Sequence, residues 1–181
     1  MKRKKGKGKK GFGERKFIPN YFLSIPIRND EVQKRLLDIQ SQMNGLCPSL
    51  SGGTIKPTKL HLTLFVVSLR DPDSLHHFLE LFQSRFLEIL SGQDPFVLEL
   101  CGVGSFGKGR VIWSGLQQDN HSERLKDLTV QMCNATKELP GVLDPNFRWS
   151  PHITLYKEMR KFRRSWKNKA SKCSVVTVET T

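Results

Sequence analysis

The run KLHLTLF at residues 59–65 places a histidine and a threonine inside an otherwise apolar segment. Its alternation is typical of a β-strand, in which successive side chains point to opposite faces. His61 and Thr63 therefore share one face, and the other face carries Leu60, Leu62 and Leu64. A single histidine in a strand is commonly a half-buried ring with one hydrogen bond, so this run alone predicts a strand and not yet a site.

The same His-x-Thr-Leu unit returns 91 residues later, in FRWSPHITLYK at residues 147–157. Interpreted as one strand, this segment places His152 and Thr154 on a common face with Arg148 and Tyr156. Each unit comes after a segment with a helical pattern. The chain is therefore predicted to contain two distantly similar halves, each of which brings one histidine and one threonine.

The rest of the central region alternates helix and strand patterns. Apolar residues three and four positions apart predict helices at about residues 30–44, 71–90 and 122–139. Short apolar runs predict further strands at residues 20–27, 95–103 and 110–116, the last two joined by the turn GSFGKG. This pattern predicts an α+β fold in one domain that spans residues 17–159.

The net charge of +13 is concentrated at the two ends of the chain. Residues 1–17 hold nine of the 30 Lys and Arg residues and residues 157–181 hold eight, whereas residues 18–156 sum to −1. The body is therefore not predicted to be a basic nucleic-acid surface. We expect residues 1–16 to be a disordered basic tail that serves nuclear import, attraction to phosphate or anionic lipid, or solubility. Residues 160–181 are predicted to be a basic tail with SVVTV as a candidate final strand.

The sequence predicts neither export, nor a membrane span, nor a metal site. No apolar core follows the early basic residues, and no apolar run approaches the roughly 20 residues that a membrane span needs. The four cysteines form no C-x-x-C pair, and no acidic cluster surrounds the two His-x-Thr units, so we expect no metal and no cofactor. Reduced thiols fit a nuclear or cytoplasmic protein, and we expect a monomer.

Two His-x-Thr units together are suited to cleavage of a phosphodiester. A free imidazole has a pKa of about 6.5, so near neutral pH one ring can accept a proton while the other donates one. General acid–base catalysis of this kind is worth about 10²- to 10⁴-fold and needs no metal. A threonine hydroxyl that donates to a non-bridging phosphate oxygen can stabilise the transition state by about 3 kcal/mol. The two pairs therefore form a candidate phosphodiesterase site.

Four segments carry a resemblance to a known family: PNYFLSIPI, KLHLTLFVV, LCGVGSFG and SPHITLYK. In this order and spacing, they resemble the two-histidine phosphoesterase superfamily, and more narrowly the phosphoesterase-like domain of A-kinase anchor protein seven and its relatives. The resemblance covers about residues 17–159 and implies a bilobal fold, in which two pseudo-symmetric β/α halves enclose a central cleft. It also implies cleavage of 2′,5′-linked oligoadenylates or of cyclic or other RNA-derived phosphodiesters. The catalytic set that it implies is His61, Thr63, His152 and Thr154.

The chain departs from this family after the second His-x-Thr unit. Relatives usually continue with another helix and one or two strands, whereas this chain passes into a basic segment, which leaves open whether the second half is complete or truncated at the C-terminus. The amphipathic helix by which anchoring relatives bind the regulatory subunit of protein kinase A is not visible, so that partner is doubtful. The alternative to catalysis is a nucleotide- or RNA-binding module, or an anchoring adaptor, on the same fold.

Further residues are candidates for substrate contact by their position alone. Tyr156 could stack on a base and Arg148 could approach a phosphate. The alternative for both is an ordinary cross-strand contact. Lys59, which precedes the first histidine, receives the same interpretation. Phe106, in the predicted GSFGKG turn, would either shape the cleft or fill the core.

Overall fold

Five antiparallel strands form one sheet at the centre of the part of the chain that the computed structural model describes, residues 17–158. The strands are β1 (Tyr21–Pro26), β2 (His61–Val67), β3 (Leu100–Phe106), β4 (Val111–Leu116) and β5 (Ile153–Lys157). Their order across the sheet is β1-β2-β5-β4-β3. The two strands that carry the His-x-Thr units are therefore neighbours at the centre of the sheet.

Some of the sequence predictions fall outside the described residues. These are the disordered tail over residues 1–16, the tail over residues 160–181 with its candidate strand, and the completeness of the second half. Among the helices of residues 17–158, none combines the length and the apolar character that a membrane crossing requires.

The helices begin where the sequence predicts them, because acidic or amide side chains cap their first turns. The α-helices are α1 (Asp30–Leu46), α2 (Pro72–Leu81), α3 (Leu87–Ser91) and α4 (Asn120–Thr136). A π-helical turn, Phe82–Phe86, joins α2 to α3. The backbone N–H of Val32 donates to the Asn29 side chain, and α2 and α4 begin with capping boxes at Asp71 and Asp119.

The helices pack against one face of the sheet. A single core joins apolar residues of β2 and β5 to Leu36 of α1, Phe86 of the π-helical turn and Leu128 of α4. All of these side chains are buried, and their removal from water is the main favourable contribution to folding. The other face of the two central strands carries the half-exposed side chains His61, Thr63, His152 and Thr154.

A β-bulge follows Thr63 in β2. Ser24 of β1 pairs with Thr63, but the preceding Leu23 pairs with Phe65, so that Leu64 is an extra residue without an opposite number in β1. A bulge interrupts the alternation of side chains along a strand. As a result, Leu64 and Phe65 are both buried although they are adjacent.

An equivalent bulge follows Thr154 in β5. Trp113 of β4 pairs with Thr154, but Ile112 pairs with Tyr156, which leaves Leu155 as the extra residue. Leu155 and Tyr156 are both buried, like their counterparts after Thr63. The pairs β1–β2 and β4–β5 thus repeat one pattern, which is the pseudo-symmetry that the sequence predicts.

Three boundaries differ from the sequence predictions. The predicted strand over residues 147–157 begins only at Ile153, and Pro151 just before it has no N–H to donate to a neighbouring strand. β3 begins at Leu100 and extends through Phe106, so the turn starts later than the predicted residues 104–109. The chain turns instead at residues 107–109, where three consecutive residues have positive φ angles.

Gly53 ends the 3₁₀ helix Pro48–Gly53, which lies between α1 and β2, and it packs closely against β5. A Cβ atom at Gly53 would overlap the Tyr156 ring and lie 2.6 Å from the backbone oxygen of Lys157. We expect Gly53→Ala to lower the free energy of unfolding by about 1–3 kcal/mol, because this backbone must shift. Gly45→Ala is the control, since a Cβ atom there meets nothing within 4 Å.

Gly45 lies in α1, so its replacement should raise the free energy of unfolding by about 0.5–1 kcal/mol. Urea unfolding of both variants measures the difference. Equal effects at the two positions would contradict the close contact between Gly53 and β5.

Candidate active site

The two His-x-Thr units meet on the open face of the sheet. Leu62 of β2 pairs with Ile153 of β5 in antiparallel register. His61 and Thr63 stand on either side of Leu62, and His152 and Thr154 stand on either side of Ile153, so all four residues lie next to this one pair. Residues on one face of two paired strands are about 4.5–5.5 Å apart when they are directly opposite and roughly 7–8 Å apart on the diagonal. We call this group of four side chains, His61, Thr63, His152 and Thr154, the histidine square.

Both imidazoles are held in the same tautomer by the chain just before them. Nδ1 of His61 lies 2.7 Å from the carbonyl oxygen of Lys59, and Nδ1 of His152 lies 2.7 Å from that of Ser150. A carbonyl oxygen can only accept, so each Nδ1 must carry the proton and donate. Each Nε2 is then the acceptor of a neutral ring or the second donor of an imidazolium. The two rings are equivalent in this respect.

Aromatic rings flank the two histidines on their outer sides. Phe22 of β1 stacks on His61, with ring centroids 5.0 Å apart and an interplanar angle of 20°. Phe106 of β3 meets His152 edge to face, with centroids 4.9 Å apart, and Trp113 of β4 lies 6.1 Å from the same histidine. The space over the seam between β2 and β5 thus has an aromatic wall on each side.

A buried glutamine stabilises this seam from the helix side. Gln40 of α1 is only 3% exposed, and its Nε2 donates to the carbonyl oxygens of Ile55 at 2.9 Å and Leu155 at 2.8 Å. The N–H of Ile55 also donates to the carbonyl of Leu155. Beyond Ile153, β5 therefore pairs with the segment around Ile55 and not with β2. Gln40 stabilises this pairing because it donates to both segments.

The side chains of Lys59 and Arg148 are not seen in contact with the four residues of the square. Lys59 ends the 3₁₀ turn Pro57–Lys59 and is exposed. Its observed contribution is the carbonyl that holds His61. Arg148 is exposed in the irregular segment before β5. The contact of either side chain with a substrate stays a prediction.

Tyr156 is not on the histidine face, so its predicted role in base stacking is wrong. It is 3% exposed and packs with Cys47 and Leu50 on the helix side of the sheet. The bulge at Leu155 is the physical reason, because it reverses the alternation between Thr154 and Tyr156. Burial also raises the pKa of the Tyr156 phenol, with a smaller contribution from Glu158.

Phe22 and Trp113 flank the histidines but are not among the residues that the sequence predicts for the site. The alternation of side chains along β1 could have identified Phe22. Tyr21 and Leu23 lie on one face of this strand, so Phe22 between them must lie on the other. Trp113 could not be identified in this way, because its place beside Thr154 depends on the bulge in β5. Phe106, by contrast, was predicted either to shape the cleft or to fill the core, and it is partly exposed beside His152.

A cavity of about 380 Å³ lies elsewhere, on the helix side of the sheet. Apolar side chains form most of its wall, among them Leu23, Phe82, Leu90, Phe96, Leu128 and Met132. It offers few polar groups, whereas a phosphodiester needs donors for its charged oxygens. The histidine square is therefore the better candidate for chemistry. Within residues 17–158, no group of three or more His, Cys, Asp or Glu side chains could hold a metal ion.

The chain matches a protein-family model and a curated relative. The family model described as AKAP7 2′5′ RNA ligase-like domain matches residues 19–179. Over 144 residues the chain is 30% identical to A-kinase anchor protein 7 isoform gamma of Homo sapiens, which covers 78% of this chain. The aligned region is 41% of that relative, so the chain spans less than half of its length.

Solved structures share the fold at low sequence identity. TT0787 of Thermus thermophilus is 24% identical with a TM-score of 0.58, over 76% of this chain and 73% of that one. E. coli LigT complexed with 3′-AMP is 19% identical with a TM-score of 0.53, over 76% of this chain and 71% of that one. These likenesses confirm the predicted α+β fold.

Proposed function

The chain belongs to the AKAP7 2′5′ RNA ligase-like family of the two-histidine phosphoesterase superfamily, and on this premise we propose that it is a metal-independent phosphodiesterase. The proposed substrates are 2′,5′-linked oligoadenylates or cyclic and other RNA-derived phosphodiesters. One observation carries the proposal. The central strands bring two His-x-Thr pairs onto one face, with both Nδ1 atoms bonded to backbone carbonyls.

In the proposed reaction the phosphate lies over the square, with one Nε2 on each side. The attacking group is a hydroxyl or a water molecule. Its oxygen forms a bond to phosphorus while the neutral ring accepts its proton at Nε2. The imidazolium gives its Nε2 proton to the leaving oxygen as that oxygen's bond to phosphorus breaks. The enzyme ends with the two rings in exchanged protonation states, and proton exchange with water restores them. Both Nε2 atoms are suited to these steps because each Nδ1 is already engaged.

The hydroxyls of Thr63 and Thr154 have a separate role in this proposal. Each belongs, with the two histidines, to the group of four side chains around the Leu62–Ile153 pair. From there each hydroxyl donates to a non-bridging phosphate oxygen, where negative charge grows in the transition state. The two threonines therefore act on the phosphate while the two histidines act on the attacking and leaving oxygens.

The named relatives support binding of nucleotides as part of this proposal. LigT has been crystallised in complexes with 3′-AMP, with phosphate and with ATP. We extend nucleotide binding to this chain because it shares that fold and carries the square. Anchoring of a kinase subunit is not proposed, since the aligned region is only 41% of the anchoring relative. A nuclear or cytoplasmic location stays a prediction.

Turnover in the presence of a chelator tests the proposed function. We expect the 181-residue chain to cleave a 2′,5′-linked diadenylate or 2′,3′-cyclic AMP at the same rate with and without EDTA, because both proton transfers use side chains alone. Product formation is measured by chromatography. Binding without cleavage would instead favour the non-catalytic module, and loss of cleavage in EDTA would contradict the metal-independent mechanism.

Removal of one threonine hydroxyl should lower kcat more than it changes KM. We expect Thr63→Val and Thr154→Val each to lower kcat about 10²-fold, because the lost donor acts mainly on the transition state. Valine keeps the branched shape, so the strand should be preserved. Thr58→Val, at an exposed position in the 3₁₀ turn Pro57–Lys59, is the matched control. An unchanged kcat in both variants would remove the threonines from the mechanism.

A further inference from the structure

Two exposed phenylalanines stand on opposite sides of the histidine square. Phe22 of β1 is 57% exposed and Phe106 of β3 is 37% exposed. β1 and β3 are the two edges of the described sheet, and the square lies between them on β2 and β5. A phosphate bound over the square would therefore have one exposed aromatic ring toward each edge of the sheet.

Both rings are held in place from one side and accessible from another. The Phe22 ring lies nearly parallel to the His61 ring. Phe106 packs on Trp113, with ring centroids 5.1 Å apart. Trp113 in turn lies against Gly104, where a Cβ atom would overlap its indole. Rings that are fixed before binding lose little conformational entropy when a ligand stacks on them.

The exposure of these rings is not explained by the core. The core lies on the helix side of the sheet, and alternation places Phe22, like Ser24, on the histidine side. Phe106 lies on the same side, since it contacts His152. Exposed aromatic rings beside phosphate-binding groups are typical of sites for single-stranded nucleotides, in which bases stack on the rings.

We propose that Phe22 and Phe106 are stacking platforms for the two nucleosides on either side of the scissile phosphate. The inference rests on the proposed function and specifies its substrate. A linear dinucleoside phosphate has two bases and uses both platforms. A 2′,3′-cyclic nucleotide has one base and uses only one. The site should therefore select linear linkages between two nucleosides over cyclic mononucleotides.

The test compares two substrates in three variants. Phe22→Leu and Phe106→Leu keep an apolar side chain but remove the aromatic face. Tyr21→Leu is the matched control, because Tyr21 is the adjacent residue, is 45% exposed and points to the other face of β1. The value of kcat/KM is measured for a 2′,5′-linked diadenylate and for 2′,3′-cyclic AMP.

Both phenylalanine variants should lose about 10-fold or more of kcat/KM on the diadenylate, which is the usual scale of one stacked base. On 2′,3′-cyclic AMP at most one of them should lose activity, and Tyr21→Leu should leave both substrates unaffected. Equal losses on the two substrates in both variants would overturn the inference, because the rings would then only position the imidazoles. Unchanged activity on the diadenylate would overturn it as well.

The inference can also be tested if the proposed function fails. Should the wild-type chain cleave neither substrate, calorimetric titration with the same two compounds still measures stacking. Both phenylalanine substitutions should then weaken binding of the diadenylate about 10-fold. At most one should weaken binding of 2′,3′-cyclic AMP. Equal affinities in wild type and variants would reject the platforms independently of catalysis.

Discussion

His61→Asn and His152→Asn are each expected to lower kcat on a 2′,5′-linked diadenylate by about 10²- to 10⁴-fold, the usual value of one acid or base catalyst. An asparagine amide can still donate toward the carbonyl that holds each Nδ1, but it has no group in place of Nε2. The substitution therefore removes proton transfer while it keeps the local polar contact. His77→Asn, on the exposed side of α2, is the control and should leave kcat unchanged.

The same pair of variants can identify the acid and the base. A substrate with a nitrophenolate leaving group needs little protonation of its leaving oxygen. The variant that lacks the general acid should therefore recover much of its activity on that substrate, whereas the variant that lacks the base should not. Full activity in either variant on the diadenylate would refute the two-histidine mechanism. Equal recovery of both variants would refute a division of roles between the rings.

Phe65→Ala is expected to lower the free energy of unfolding by about 3–5 kcal/mol, the range for a fully buried phenylalanine. Phe65 has no exposed surface, and its ring meets Phe86 and Phe147 edge to face at 6.1 and 6.4 Å. The bulge that brings Phe65 into the core begins one residue after Thr63. The loss is a large part of the roughly 5–15 kcal/mol that typically separates folded from unfolded domains.

Urea unfolding followed by circular dichroism measures this effect. Leu79→Ala is the control, because Leu79 lies half exposed on α2, and its loss should cost less than about 1 kcal/mol. If Phe65→Ala does not fold, Phe65→Leu gives the smaller loss of a partly filled site. Equal destabilisation at positions 65 and 79 would contradict the assignment of Phe65 to the core.

The sequence predicts the face on which each His-x-Thr pair lies better than it predicts where the strands begin and end. Alternation around His61 and His152 is strong because the neighbouring positions are large and apolar, and this periodicity alone assigns each His-x-Thr pair to one face. That the two pairs meet depends on β2 and β5 being neighbours, which no local pattern contains. The pseudo-symmetry that the sequence predicts for the two halves is the reason to expect that β2 and β5 are adjacent.

Two of the incorrect predictions have separate physical causes. A bulge adds one residue to a strand, and the sequence around Leu155 has no glycine or other sign of it. A strict period of two therefore placed Tyr156 on the wrong face. Likewise, Pro151 marks the start of β5, but a proline is also tolerated inside an edge strand, so the longer strand was a reasonable prediction.

The hydrogen bonds that hold both Nδ1 atoms leave only the two Nε2 atoms to bind an inhibitor. Within the proposed mechanism, a pentacoordinate oxyanion such as vanadate would direct its two apical oxygens at the two Nε2 atoms. One ring accepts and the other donates, so the complementary mimic must carry a hydroxyl at one apex and a bare oxygen at the other. A compound with identical apical groups matches only one of the two imidazoles. Tight binding therefore requires an inhibitor that is protonated at one apical oxygen and not at the other.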